Sequence, residues 1–417
     1  LTESLGNTSN IPAKKILFVI NDAKFFLSHR LQIALALKNA GHAVGVVAPP
    51  HSDSVEIKRH GLTFIEITLK PWSNNPVSNL LLCWQLTKLY QTFSPDVVHH
   101  VTIKPVIFGS IAARLAKVPF VVNALSGLGY VFLKKGLFAS LRRRIVIALY
   151  RRALNLQNQT LIVQNVSDKE FANSKLGVNK ENIILVNGSG VNLDRFIPVK
   201  SENSIPIVLF PGRLLWSKGL KEFVEAAKVL RNFGRAARFV VVGSRPNGNP
   251  DAVPLEYILK CEAEKVVEFW GHQSEMLDVY RQADIICLPS HREGLSKTLL
   301  EAAACAKPLV TTNVPGCREV VKDEFNGFLV PANDQLALSV ALDRLVNDRA
   351  LCELFGNNSR KFVEEGGFSE EDVLMKTMEI YQKIIPGLKF ESKGTALTKG
   401  FDHRSTEQQS QPVAHAG

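Results

Sequence analysis

KILFVINDAKFFLSHRLQIALALKNAGHAVGVVAP, residues 15–49, decides the fold. KILFVI is an apolar run of strand length, and NDAKFFLSHR reads as a loop. LQIALALKNA repeats its apolar positions at helical spacing, Gly41 is a helix stop, and AVGVVAP is a second apolar strand. A strand, a helix and another near-continuous apolar strand make a β-α-β unit, and such units build parallel sheets.

The alternation continues outward from this unit. FIEIT, DVVHHV, PFVVNAL, LIVQN and NIILVN are strand-like, while NLLLCWQLTKLYQTF and VIFGSIAARLAK are helical. NGSGVNLDRFIPVKSENSIP (187–206) is polar and rich in Gly, Ser, Asn and Pro, and reads as a linker. The pattern then restarts with the strands IPIVLFPGR, ARFVVVGS, VVEFWG and DIICLPS and the helix LKEFVEAAKVLRN. The last periodic helix is EDVLMKTMEIYQKII (371–385), and the chain beyond Lys393 is polar and aperiodic. A length of 417 residues also favours two domains. The expected division is 12–192 and 193–385. A final helix (369–387) would pack back on the first domain, and a disordered tail would span 393–417. Ligands of paired α/β domains bind between them, outside the carboxyl ends of the strands.

The charge is unevenly placed. Residues 1–200 hold 24 Lys and Arg against 10 Asp and Glu, and the remainder 26 against 29. No acid lies between Asp96 and Asp168, a span with ten basic residues. A one-sided basic domain implies an anionic partner, either nucleic acid or an anionic membrane. No recognition-helix, RNA-binding or zinc motif is visible, so nucleic acid is not expected. Cys83, Cys261, Cys287, Cys305, Cys317 and Cys352 form no CxxC pair or His/Cys cluster, which argues against zinc or a disulfide framework. There is no uninterrupted apolar run of transmembrane length, and LTESLGNTSN lacks the order of a secretory leader.

Two loops carry candidate chemistry. In FPGRLLWSKGL (210–220), Gly212 lets the backbone turn, and Arg213 and Lys218 can converge on an anion. The alternative is a solvated basic loop. In PSHREGLSKTLLEAAACAKPLVTT (289–312), Glu293 and Gly294 follow a strand, and Lys297 stands where a helix should begin. A helix start carries partial positive charge, so a lysine there calls for a nearby anion. Glu293 can be read as half of a capping box with Ser290, and Glu301 as an i,i+4 partner of Lys297. The other reading gives them separate jobs. The helix start and Lys297 would face a diphosphate, Glu293 would take sugar hydroxyls, and Glu301, further along the helix, would take a ribose diol.

Glu293-GLSKTLL-Glu301 and the following EAAACAKPLVTTNVPGCREVV resemble the donor-binding signature of family 4 glycosyltransferases. GRLLWSKGL, VEFWGHQSEMLDVYRQADIICLPS, NGFLVP and the linker GVNLDRFIP are similar to the same family, in the same order, over roughly residues 14–385. NDAKFFLSHRLQIALAL and VHHVTIKPVIFGSIAARLAKVPFVVNALSGLGYVF resemble the bacterial branch that builds O-antigens, capsules and related surface glycans on a polyprenyl carrier.

The resemblance implies a GT-B fold, two facing Rossmann-like domains with a cleft between them. It also implies retaining, metal-independent transfer with a UDP-sugar as co-substrate and no other cofactor. Arg213 and Lys218 would stabilise the leaving diphosphate, with Glu293 at the donor sugar and Glu301 at the ribose. Gly212, Gly294, Leu295, Ser296 and Lys297 would line the donor, and Trp270 to His272 the base. Lys24, Phe25, His29, Asn123 and Ser126 are candidates for the acceptor or sugar side. Where many members carry a His near the sugar's 6-position, FVVNALSGLGY offers Asn123 or Ser126 instead. His29, His99 and His100 read as structural or as acceptor contacts.

GYVFLKKGLFASLRRRIVIALYRRALNL (129–156) puts Leu141, Ile145 and Leu149 on one helical face with Leu137 and Phe138, flanked by Arg144, Arg151 and Arg152. This reads as an interfacial helix on anionic lipid, and the alternative is an ordinary helix with solvated arginines. The expected protein is a cytoplasmic enzyme, peripheral on the inner face of the cell membrane, moving an N-acetylhexosamine or related sugar to a polyprenyl-diphosphate-linked acceptor. A nucleotide-sugar 2-epimerase or hydrolase on the same fold is the alternative, though no acid/base set around a sugar ring is apparent. A membrane-associated binding protein without catalysis is a third.

Overall fold

In the computed structural model, residues 12–70, 73, 75–127 and 137–390 are described, with 137–139 described by backbone alone. The expected tail and the first part of the 129–156 segment lie outside the described residues.

Two all-parallel sheets organise the chain. The first contains β1 (Lys15–Val19), β2 (Ala43–Ala48), β3 (Thr63–Glu66), β4 (Val97–Val101), β5 (Phe120–Ala124), β6 (Gln159–Val163) and β7 (Ile183–Leu185), in the order β3-β2-β1-β4-β5-β6-β7. The second contains β8 (Ile207–Pro211), β9 (Arg238–Val242), β10 (Glu268–Gly271), β11 (Ile285–Leu288), β12 (Leu309–Thr312) and β13 (Gly327–Val330), in the order β10-β9-β8-β11-β12-β13. Ile16 to Val19 and Val208 to Phe210 are wholly buried, as expected of strands covered on both faces. The strand order reverses between β1 and β4 in the first sheet and between β8 and β11 in the second. Ligand crevices form at such switch points.

One expected loop is a helix. Within NDAKFFLSHR, residues Ala23–His29 are helical, Arg30 breaks the run, and Leu31–Asn39 continues it. Asp22 caps the short helix by accepting from the Lys24 and Phe25 amides at 2.8 and 3.4 Å. Phe26 buries against Phe18, their rings 5.8 Å apart. Only Ala23 and Phe26 of its seven residues are buried, so too little apolar period exists to read in the sequence. VIFGSIAARLAK likewise opens as a π turn, Pro105–Gly109, before the helix Ser110–Leu115.

The helix Glu370–Ile384 follows the second sheet but packs Val373, Met378, Ile380 and Tyr381 into the core of the first. The Tyr381 hydroxyl meets His99 Nδ1 at 2.9 Å. Beside it, His100 bonds Asn123 Oδ1 through Nδ1 and the Tyr90 hydroxyl through Nε2, both at 2.9 Å. Ser110 donates to Asn123 Oδ1 at 3.0 Å, and Asn123 Nδ2 faces Gln159 Oε1 at 3.4 Å.

Burial pushes the His100 imidazole down to about 4, although its bond to Asn123 raises it. An unfolded His titrates near 6.5. Between those values the unfolded chain binds a proton that the folded one refuses. Stability is therefore full above pH 6.5 and falls as pH drops toward 4, by roughly 1.4 kcal/mol per unit for one such His. Urea midpoints measured across that range should decline, and His100→Gln should decline less steeply. An unchanged slope would count against this origin.

Candidate active site

The two loops singled out above follow β8 and β11, the neighbouring strands at the second sheet's switch point. After β8, the Gly212 amide bonds Val242 O at 2.9 Å and the Leu214 amide bonds Ser244 O at 3.0 Å, fastening the turn to the end of β9. Gly243 sits at φ +152° directly against the Gly212 carbonyl, where no Cβ fits. The Ser217 amide and hydroxyl both bond Asp251, and Gly219 turns at φ +82° over the Pro289 carbonyl. This framework leaves Arg213 exposed, with no side-chain hydrogen bond or ion pair among the described residues. Lys218 is turned inward and forms an ion pair with Glu293, both side chains largely buried.

After β11, Ser290 Oγ donates to Glu293 at 2.7 Å, so their pairing is real but caps no helix. The Glu293 amide bonds Pro315 O at 3.1 Å and the Ser296 amide bonds Gly316 O at 3.1 Å. Ser296 caps the helix Lys297–Ala304. The two loops are joined to each other: the His291 amide bonds Ser217 O at 2.8 Å, and its Nε2 lies 3.1 Å from buried Glu222.

Lys297 does not pair with Glu301 as an i,i+4 neighbour. Its ammonium reaches across to the Ser28 carbonyl at 3.0 Å and to Glu370 at 3.8 Å. Glu301 instead accepts from the Tyr280 hydroxyl at 3.2 Å. Burial raises the Glu301 carboxyl above its ordinary range, opposed by Lys297 and Tyr280.

The first domain meets these loops along the helix Ala23–His29. His29 stacks on Phe25 at 3.9 Å and shares a 2.7 Å bond with the Ser28 hydroxyl. Burial first, then Lys297 and Arg30, and more weakly Arg213, push its imidazole down to about 3, so it is neutral at physiological pH. Lys24 is exposed on the same helix. Ser126 and Gly127 abut Gly294, and Leu295 abuts Gly188 of the linker.

The assignment of Asn123 to the sugar side is corrected. It is wholly buried, and its amide group is engaged by His100, Ser110 and Gln159 inside the first domain. At the far side of the cleft, Trp270 bonds Glu268 at 3.3 Å and His272 is exposed after β10. The Gly243 amide bonds Gly271 O at 2.8 Å, which brings that strand end to the Gly212 turn.

Sequence reading missed Glu222, Asp251 and Gly243, whose roles depend on contacts between distant segments. It also missed Asp168 and Arg292, which pair across the domains at 2.6 Å. One signal was available, since Asp168 is the acid that ends the acid-free span. Among the described residues, no three His, Cys, Asp or Glu side chains converge as a metal site.

An unpaired guanidinium, a lysine held by a carboxylate and a helix start at the switch point can together receive a polyanion, with Glu293 and Glu301 as hydroxyl acceptors. Such a cleft between two Rossmann-like sheets defines a GT-B glycosyltransferase. Residues 194–362 match the glycosyl transferases group 1, and residues 15–165 match the glycosyl transferase 4-like family. The chain belongs to this glycosyltransferase family.

It is 29% identical over 381 residues to the N,N'-diacetylbacillosaminyl-diphospho-undecaprenol alpha-1,3-N-acetylgalactosaminyltransferase of Campylobacter jejuni, covering 86% of this chain and 98% of that one. It is 28% identical over 317 residues to the UDP-Gal:alpha-D-GlcNAc-diphosphoundecaprenol alpha-1,3-galactosyltransferase of Escherichia coli, covering 72% and 80%. The fold is shared with Anabaena HepE, solved with UDP and glucose, at TM-score 0.71, 18% identity and 88% and 99% coverage.

Proposed function

We propose that the protein transfers a sugar, with retention at its anomeric carbon, from a UDP-sugar to a polyprenyl-diphosphate-linked acceptor in bacterial surface-glycan synthesis. The observation that carries this is the convergence of Arg213, Lys218, Glu293 and the start of the helix Lys297–Ala304 at one switch point, facing the first domain. The names of the Campylobacter and Escherichia relatives, both acting on undecaprenyl-diphosphate sugars, support the acceptor class. The first of those names supports an N-acetylhexosamine as the sugar.

The unit 193–385 takes the donor, and the unit 12–192 takes the acceptor. UDP enters with its diphosphate between Arg213 and the helix start, and draws Lys218 away from Glu293. Glu293 then turns to the sugar hydroxyls and Glu301 to the ribose, while Trp270 to His272 flank the base. The bond from the anomeric carbon to the β-phosphate oxygen breaks, and the acceptor oxygen bonds that carbon on the same face. The acceptor proton passes to the departing phosphate oxygen. Charge grows on the diphosphate as the bond breaks, and fixed cations are worth most there. Neutral His29 and Phe25 line the acceptor side with Lys24 and Ser126. No metal takes part.

The test is a panel of UDP-N-acetylglucosamine, UDP-N-acetylgalactosamine, UDP-galactose and UDP-glucuronate against polyprenyl-diphosphate N-acetylhexosamines, read by mass spectrometry. Retention predicts an α-linked product by NMR, and metal independence predicts full turnover in EDTA. An inverted product, or epimer formed without acceptor, would refute the reading.

The acceptor's lipid calls for a membrane-facing surface on the inner leaflet. Among the described residues no helix is long and apolar enough to cross a membrane. The helix Leu137–Ala153 buries Tyr150 and Ala153, while Leu141, Ile145, Arg144, Arg151 and Arg152 are exposed and Leu149 is half-buried. The helix Pro76–Phe93 exposes Val77, Leu80, Leu81 and Trp84 as well. Both begin at the carboxyl edge of the first sheet, and the segment Pro105–Gly109 packs against both. Apolar side chains ringed by arginine suit anionic lipid. Replacing Leu141 and Ile145 together by glutamate should weaken sedimentation with phosphatidylglycerol vesicles by at least about tenfold. Undiminished binding would remove this face from the membrane.

A further inference from the structure

We infer that Asp168, Asn165 and Arg292 form an interdomain latch that sets the position of Glu293 when the two domains close, which makes them positioning residues for transfer. This rests on the transferase reading above. Arg292 Nη2 donates to Asp168 Oδ1 at 2.6 Å, and the Asp168 side chain is fully buried. Asn165 donates from Nδ2 to the Gly294 carbonyl at 2.8 Å and to Asp168 Oδ2 at 3.0 Å. Its Oδ1 meanwhile accepts from the Asp168 amide at 2.7 Å, capping the helix Val166–Ser174. The first domain therefore grips the residue on each side of Glu293. The Glu293 carboxylate turns the other way, to Ser290 and Lys218. One further bond, from Arg318 Nη2 to Ser167 Oγ at 2.8 Å, runs across the same boundary.

Two features make this a latch rather than a general stabiliser. Asp168 is the only ion-pair partner of Arg292 among the described residues, and the next acid before it in the chain is Asp96. A buried pair repays little more than its own desolvation, so its main contribution is geometric. Opening the cleft rehydrates both partners. Closing it without one of them strands a charge, which is strongly unfavourable. The pair thus makes closure conditional on one register of the segment 292–294.

The test uses the full chain and three variants, Asp168→Asn, Asn165→Ser and the double Asp168→Asn/Arg292→Gln. Serine retains the helix cap, but its hydroxyl is one atom shorter than the Asn165 amide nitrogen and does not reach the Gly294 carbonyl. Turnover is measured with the best donor of the panel, UDP affinity by calorimetry, and closure by small-angle X-ray scattering with and without UDP. Asp168→Asn should lower kcat about tenfold or more, with the UDP Kd changed less than about twofold, because the cations facing UDP belong to the second domain. Asn165→Ser should lower kcat as well, with a loss of Tm no larger than that of Asp168→Asn. The double variant should fall no further than Asp168→Asn, since both changes remove one interaction.

Unimpaired kcat in both single variants would overturn the latch. So would independent losses that multiply in the double, or a kcat loss matched by lost UDP affinity. If Asp168→Asn does not fold, Asn165→Ser and Arg292→Lys carry the same comparison. Absence of wild-type turnover with every donor would defeat the transferase reading instead. The latch would still be read from scattering, as compaction by UDP in the wild type and none in Asn165→Ser.

Discussion

Lys218→Ala should lower kcat by about 10²–10³-fold, the cost typical of removing one fixed group that stabilises charge developing in the transition state. Two effects combine. The leaving diphosphate loses a cation that its neighbour does not replace, because Lys297 is bonded to Ser28 and Glu370. Glu293 also loses its counter-charge in a largely buried setting, where an unpaired carboxylate repels the incoming anion.

The companion Glu293→Gln separates ground state from transition state. It frees Lys218, so UDP should bind at least as tightly as to the wild type, while transfer slows because the sugar hydroxyls lose a charged acceptor. Calorimetry with UDP beside steady-state turnover reads both. Full turnover in Lys218→Ala, or loss of UDP binding in Glu293→Gln, would refute the roles given to this pair.

Gly294→Ala should lower kcat by about 10²-fold while leaving UDP binding and Tm nearly unchanged. A Cβ at Gly294 would lie 2.6 Å from the Ser126 carbonyl oxygen, a backbone atom of the other domain that no rotamer can move. Gly127, at φ +99°, faces it from that domain, and a Cβ there would approach the Gly294 amide to 3.2 Å. The clash exists only where the domains meet, so the second domain alone tolerates the methyl group. Turnover at saturating donor and acceptor, with Kd for UDP, checks this. Wild-type kcat would mean that transfer proceeds without this contact.

Both variants act through contacts between distant segments, and that marks what a linear reading can reach. Strands such as KILFVI and IVLFP announce themselves because a parallel strand buried on both faces must be apolar throughout. The helix Lys297–Ala304 and the linker at 187–206 were equally legible, from a local period and a local composition. The short helix Ala23–His29 was not, since only two of its residues face the core and its cap is a single aspartate. Asn123 looked like a sugar ligand because it stands where many members of the resembled family carry a His. Its buried neighbours His100, Ser110 and Gln159 come from three other segments and claim its amide first.

By itself, then, the sequence determined the two parallel sheets, the order of the loops after β8 and β11 and the residue types within them. Each of these depends on period, composition or spacing within a few turns of chain. Only the tertiary structure decided which charges meet. Lys218 was free to pair with anything until β8 and β11 came side by side and set it on Glu293. Lys297 left its helical neighbour Glu301 for a carbonyl in the other domain. Asp168 found Arg292 across 124 residues of chain. Ion pairing acts over a few ångströms in space and takes no account of distance along the chain, so partners of this kind appear only once the sheets are assembled.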